Sequence, residues 1–125
     1  MTRTRVLIVD DDPDILLFLR IDLEAEGFET SLAAEGETAL RRIEEDRPDV
    51  VILDVMMPVL DGWATLEAIM AGSRPPRVVI LTAKSSQQDR DRAARLGADR
   101  YVTKPFAPRE VVEAIREVIA RSLSA

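Results

Sequence analysis

Three runs of aliphatic residues recur along the chain at 6–9 (VLIV), 50–53 (VVIL) and 78–81 (VVIL). Each is continuous rather than alternating and rich in β-branched side chains. That pattern suits strands covered on both faces, as in a parallel sheet. Residues 28–33 and 100–103 are weaker strand candidates, expected further from the centre. Between these runs the spacing of apolar residues lengthens to that of helices. In 13–26, Ile15, Leu19 and Leu23 repeat every fourth position, with Asp12 as N-cap, Pro13 in the first helical position and Gly27 as the stop. Further helices are expected at 36–45 (Leu40, Ile43), 61–70 (Leu66, Ile69, Met70), 87–96 and 107–122 (Val111, Ile115, Val118, Ile119). The fourth of them is notably polar, with only Ala93, Ala94 and Leu96 as core candidates before Gly97.

Strand and helix thus alternate five times, and right-handed crossovers place helices on both faces of one parallel sheet, an α/β fold. Ligands of such sheets bind beyond the carboxyl ends of the strands. The 125 residues suffice for a single domain, 1–125, with one apolar core. The end, 120–125, reads as a free tail or the start of a linker.

Composition narrows the chemistry. Cysteine and histidine are both absent, so disulfides, thiolate metal sites and an imidazole base are excluded. The net charge of −6 disfavours phosphate backbones and anionic lipid, so no nucleic-acid or membrane binding is expected of this segment itself. No apolar stretch approaches the roughly 20 residues of a membrane span. The amino terminus runs straight into a strand without a signal-peptide core, and the expected location is cytoplasmic.

The residues just past each aliphatic run carry the candidate chemistry. They are Asp10, Asp11 and Asp12 after the first strand, Asp54 after the third, Thr82 and Ala83 after the fourth, and Thr103, Lys104 and Pro105 after the fifth. In a parallel sheet these face one another across a single crevice. Asp12 is accounted for as a helix cap, but Asp10 and Asp11 exceed what capping requires. Clustered carboxylates repel, and a hard divalent cation removes that conflict; oxygen-only ligands point to Mg²⁺ rather than zinc. The chain has only two lysines, Lys84 and Lys104, and a lysine at a strand end suits a compact contact to a phosphoryl oxygen.

The segments 6–13 (VLIVDDDP), 53–62 (LDVMMPVLDG), 81–83 (LTA) and 101–106 (YVTKPF), in this order and spacing, resemble the receiver domains of two-component response regulators, including the chemotaxis regulators. The resemblance covers essentially the whole chain without a departure at a motif position. It implies a flavodoxin-like fold, a five-stranded parallel sheet in the order 2-1-3-4-5. It further implies that Asp54 accepts a phosphoryl group from a phosphohistidine on a histidine kinase or histidine phosphotransfer protein. Asp10, Asp11, Asp54 and the backbone carbonyl of Met56 would hold Mg²⁺, Asp10 through water. Lys104 would pair with the phosphoryl group, ahead of a cis bond to Pro105. Thr82 and Tyr101 would be the switch residues, moving the surface of 87–96, 101–103 and 108–121 that reaches a downstream effector or a second copy on phosphorylation. The kinase would dock on Ile15, Phe18, Leu19 and Asp22 with Phe106 and Pro108, while Met56 and Lys84 would border the path of hydrolytic water. Such a protein is a signalling phosphoacceptor rather than an enzyme, catalysing only its own phosphorylation and slow dephosphorylation.

Two other readings use the same residues. A Mg²⁺-dependent phosphatase with an aspartyl nucleophile usually needs a second carboxylate two residues later, where Met56 stands here. A receiver-shaped binding module that takes no phosphate would not need Asp10, Asp11, Asp54, Thr82 and Lys104 together.

Overall fold

A computed structural model describes residues 3–57 and 61–124. The order is β1 (Arg5–Val9), α1 (Pro13–Ala25), β2 (Glu29–Ala33), α2 (Gly36–Asp46), β3 (Val50–Leu53), α3 (Gly62–Met70), β4 (Arg77–Thr82), α4 (Gln87–Arg95), β5 (Arg100–Thr103) and α5 (Pro108–Ser124). The strands form one parallel sheet in the order β2-β1-β3-β4-β5. This is the expected flavodoxin-like arrangement. Strand order reverses at β1, whose neighbours are β2 and β3. The crevice beyond the ends of β1 and β3 is therefore the place for a ligand.

The alternation along each strand splits the core in two. Val6 and Ile8 face a layer built with α1 and α5 (Leu19, Leu23, Val111, Ile115). Leu7 and Val9 face a layer built with α2, α3 and α4 (Ala39, Leu66, Ile69, Ala93). The two layers bury the central strands on both sides, which is why those strands read as unbroken aliphatic runs.

Helix ends follow local chemistry. Asp12 accepts from the Asp14 N–H at 2.9 Å ahead of Pro13, and Gly27 follows α1 at φ 93°. Ser86 caps α4 by accepting from the Asp89 N–H at 3.1 Å, and Gly97 ends it at φ 105°. Asp61 caps α3 by accepting from the Trp63 N–H at 2.9 Å.

Several finer expectations change. Leu16, not Ile15, joins Leu19 and Leu23 as the buried stripe of α1; Ile15 is half-buried. Ala94 is exposed, leaving Ala93 as the one buried residue of α4, with Leu96 packed at its edge. The last helix runs on through Ser124, so the segment expected as tail from Ala120 is helical over 120–124. Pro58, Val59 and Leu60, part of the 53–62 motif, lie outside the described residues.

Candidate functional site

The ladder of the sheet extends one residue beyond its strands at three places. The Asp10 N–H donates to the Ala33 carbonyl at 3.1 Å, the Asp54 N–H to the Val9 carbonyl at 3.0 Å, and the Lys104 N–H to the Thr82 carbonyl at 2.8 Å. These bonds hold the three side chains at the mouth of the crevice. Asp10 and Asp54 are buried, and Asp11 beside them is exposed. Each of the three acids offers a carboxylate oxygen, and those oxygens lie within 4.8 Å of one another. Among the described residues this is the one such group of potential ligands.

Every oxygen of the two buried acids is engaged. Asp10 accepts from the Asp12 N–H at 2.9 Å, and Asp54 from the Met56 N–H at 2.8 Å. Their other oxygens both receive the Lys104 ammonium, at 2.8 Å from Asp10 and 3.0 Å from Asp54. Burial pushes the Asp10 carboxyl above the ordinary range, more than Lys104 and the Asp12 N–H can offset. Burial pulls Lys104 down, but its hydrogen bonds to Asp10 and Asp54 outweigh that and hold it above its usual value. One cation thus faces two buried acids, with a third at the rim. The cluster fits a hard divalent cation, which supplies the charge that Lys104 alone does not. All its donors are oxygens, and Asp11 presents the open side.

Removing Lys104 exposes the imbalance. Lys104→Ala is expected to lower stability by about 3 kcal/mol near neutral pH, since it leaves paired buried acids uncompensated. A carboxyl with a folded pKa above its unfolded one disfavours the fold only where it is ionised. The deficit should therefore shrink as pH falls through the window between Asp10's ordinary and raised values. The wild type carries the opposite contribution from Lys104, which is present below its unfolded pKa and lost only as alkaline pH passes its raised folded one. Urea unfolding at neutral and mildly acidic pH measures the difference. A deficit that grows on acidification contradicts this electrostatic account.

Thr82 ends β4, and Tyr101 lies in the neighbouring strand β5. Thr82 is fully buried, and its hydroxyl oxygen accepts from the Lys84 N–H at 3.4 Å. Tyr101 is half-buried, with its hydroxyl donating to the Lys84 carbonyl at 2.8 Å. Burial pushes the Tyr101 phenol up, and Asp89 adds to it. The Lys104–Pro105 bond is cis. Met56 projects into solvent at 49% exposure, beside Asp54 in sequence. Of the proposed docking residues, Phe18 is exposed at 53% and Phe106 is half-buried, both lining an apolar groove with Ile15 and Pro105, while Pro108 is half-buried at the start of α5. Leu19 is fully buried, so it belongs to the core and not to a surface. The expectation of Leu19 as a docking residue is corrected on that ground.

Two features were not legible in the sequence. Gly62 packs against the backbone of Val55, where an added Cβ would lie 2.2 Å from its Cα. The Asp-Gly pair at 61–62 signalled this, but as a motif and not as a contact. The guanidinium of Arg90 lies over the Tyr101 ring at 5.0 Å, and that of Arg92 over the Trp63 ring at 4.4 Å. No periodicity announces either.

Comparison with known proteins points the same way as the geometry. The sequence profile described as response regulator receiver domain matches residues 6–116. The transcriptional regulatory protein PrrA of Mycobacterium tuberculosis is 42% identical over 97% of this chain and 52% of that protein. The alkaline phosphatase synthesis transcriptional regulatory protein PhoP of Bacillus subtilis is 38% identical over 94% of this chain and 49% of its own length. The chain thus spans about half the length of the curated relatives it matches. A CheY-like response regulator receiver domain from Methanospirillum hungatei superposes with a TM-score of 0.92, at 30% identity and 98% coverage of both chains.

Proposed function

The chain belongs to the response regulator receiver domain family, and from that premise we propose that Asp54 is the phosphoacceptor of a Mg²⁺-dependent aspartyl-phosphate switch. The observation that carries the proposal is the meeting of Asp10, Asp11, Asp54 and Lys104 at one crevice.

Asp54 attacks as a carboxylate and needs no base, in keeping with a chain that lacks histidine. Its oxygen forms a bond to phosphorus as the phosphorus–nitrogen bond of the partner's phosphohistidine breaks, and the electron pair leaves with the imidazole. Charge then spreads over the phosphoryl oxygens. Lys104, already 3.0 Å from Asp54, is placed to follow one of them. The Thr82 hydroxyl, whose oxygen accepts from the Lys84 N–H, would donate to another. A bound Mg²⁺, held by Asp10 (through water), Asp11, Asp54 and the Met56 carbonyl, would supply Lewis-acid neutralisation of those oxygens.

The proposed donor is a histidine kinase or histidine phosphotransfer protein, seated on Ile15, Phe18, Asp22, Phe106 and Pro108. The proposed readout is the α4-β5-α5 surface, acting through Thr82 and Tyr101 on an effector domain or protein, with a homodimer as one form it could take. Among the described residues no helix is long and apolar enough to cross a membrane. A cytoplasmic setting suits a partner that carries phosphohistidine.

Incubation with phosphoramidate and Mg²⁺, followed by intact mass, tests the proposal. One phosphoryl group per chain is expected, with no multiple turnover of a generic phosphate ester. Sustained ester hydrolysis would favour a phosphatase instead, a reading already weakened by Met56 where a general acid would stand.

Met56 and Lys84 are proposed to set how long the phosphoryl group persists. Met56→Ala and Lys84→Ala are expected to change the dephosphorylation rate severalfold, measured as decay of the modified mass. Unchanged decay in both variants sinks this assignment.

A further inference from the structure

The fourth helix is held to the fold in an unusual way. Only Ala93 of α4 is buried, so the apolar anchoring that fixes the other helices is nearly missing. Two guanidinium groups take its place, one on each flank. Arg90 lies over Tyr101 on the β5 side, and Arg92 lies over Trp63 on the α3 side. The two aromatic partners differ in what holds them. Tyr101 is half-buried and tied by its hydroxyl to the Lys84 carbonyl, in the loop that leads into α4 itself. Trp63 is buried in the core with Val55, Met57 and Leu66. Its backbone N–H donates to the Asp61 cap, and the neighbouring Gly62 is wedged on Val55, the residue after Asp54. The Trp63 ring is thus rigidly placed relative to the phosphoacceptor, and Arg92 registers α4 against it.

We infer that Arg92 is a positioning residue that holds α4 in its resting place through the Trp63 ring, and that this contact must be released when the switch is thrown. The second half rests on the phosphoacceptor reading of Asp54. Drawing the Thr82 hydroxyl towards Asp54 would loosen its 3.4 Å contact with the Lys84 N–H, and Lys84 lies two residues before the Ser86 cap of α4. The pull therefore reaches the start of α4, while Arg92 restrains its end. A cation over the face of a tryptophan is attracted by the ring quadrupole, strongest for tryptophan among the aromatics. The attraction resists displacement yet is a single contact, which suits an element with two arrangements.

The test compares wild type, Arg92→Ala and Arg92→Lys. In the unmodified proteins, amide hydrogen exchange over 87–95 is expected to rise by about two- to fivefold in Arg92→Ala, the size of one partly exposed cation–π contact. Exchange in the other helices should stay as it was, and Arg92→Lys should restore most of the protection. Trp63 is the only tryptophan, so its emission reports the same contact directly and should shift in Arg92→Ala alone. With Mg²⁺ and beryllofluoride, Arg92→Ala should bind the phosphoryl mimic about two- to fivefold tighter, because the resting state has lost a stabilising contact. Exchange over 87–95 that is unchanged, or raised equally throughout the chain, overturns the clasp. Wild-type binding of the mimic with no gain in Arg92→Ala overturns the release. A wild type that binds no mimic overturns the phosphoacceptor reading and the release with it, while the exchange result still decides the clasp.

Discussion

Asp54→Ala is expected to take up no phosphoryl group from phosphoramidate and Mg²⁺ under conditions in which the wild-type chain takes up one. The loss should be complete rather than partial, because nothing nearby can substitute. Burial raises the pKa of the Asp10 carboxyl, which disfavours the ionised form that could attack. Asp11 is exposed at the rim, without the Lys104 contact that would follow the developing charge. The variant also removes one of the two acids facing Lys104, which eases the charge imbalance and should leave the fold intact. Intact mass gives the uptake, and far-ultraviolet circular dichroism checks folding on the same sample. Full uptake by a folded Asp54→Ala chain would mean that another residue is the acceptor.

Gly62→Ala is expected to be the most damaging single methyl addition to the fold, costing about 3 kcal/mol. Its Cβ would sit 2.2 Å from the Val55 Cα and 2.6 Å from the Val55 carbonyl carbon and oxygen. All three are backbone atoms at the end of the central strand, and they cannot rotate aside as a flexible side chain would. The strain must move α3 or the strand end, and Val55 adjoins Asp54, so the rate of phosphoryl uptake should fall along with stability. A natural domain has only about 5–15 kcal/mol in hand, so the loss should be plain in urea unfolding. Gly72→Ala serves as the comparison. Its Cβ would meet only the Ile69 carbonyl oxygen, at 3.4 Å, and it should stay within about 1 kcal/mol of wild type. Equal effects of the two substitutions would contradict the crowding argument.

The parts of the fold that were legible in the sequence are those whose burial leaves a pattern. The central strands β1, β3 and β4 are enclosed on both faces and appear as unbroken aliphatic runs. The edge strands β2 and β5 are mostly half-buried, and their composition is correspondingly mixed. Helix α4 was legible as a helix but not in its anchoring. Ala94 passed for a core residue because alanine fits either environment, and the true anchors are arginines, which periodicity assigns to solvent. Leu19 was ambiguous for a related reason, since α1 is apolar on its exposed face as well, at Leu17, Phe18 and Ile21. The site was legible because strand ends in a parallel sheet must converge, so acids and a lysine there had to meet. What sequence could not supply was the contact between elements: Lys104 bridging Asp10 and Asp54, the Tyr101 hydroxyl on the Lys84 carbonyl, and the two guanidinium groups on their rings. Each depends on a side-chain direction that only the packed structure fixes.

The most direct measurement is a crystal structure of the chain with Mg²⁺ and beryllofluoride. A beryllofluoride group is expected on an Asp54 oxygen, contacted by Lys104 and the Thr82 hydroxyl, with the metal among Asp10, Asp11 and Asp54. Beryllofluoride and metal absent from that crevice, or Lys104 turned away into solvent, would contradict that expectation.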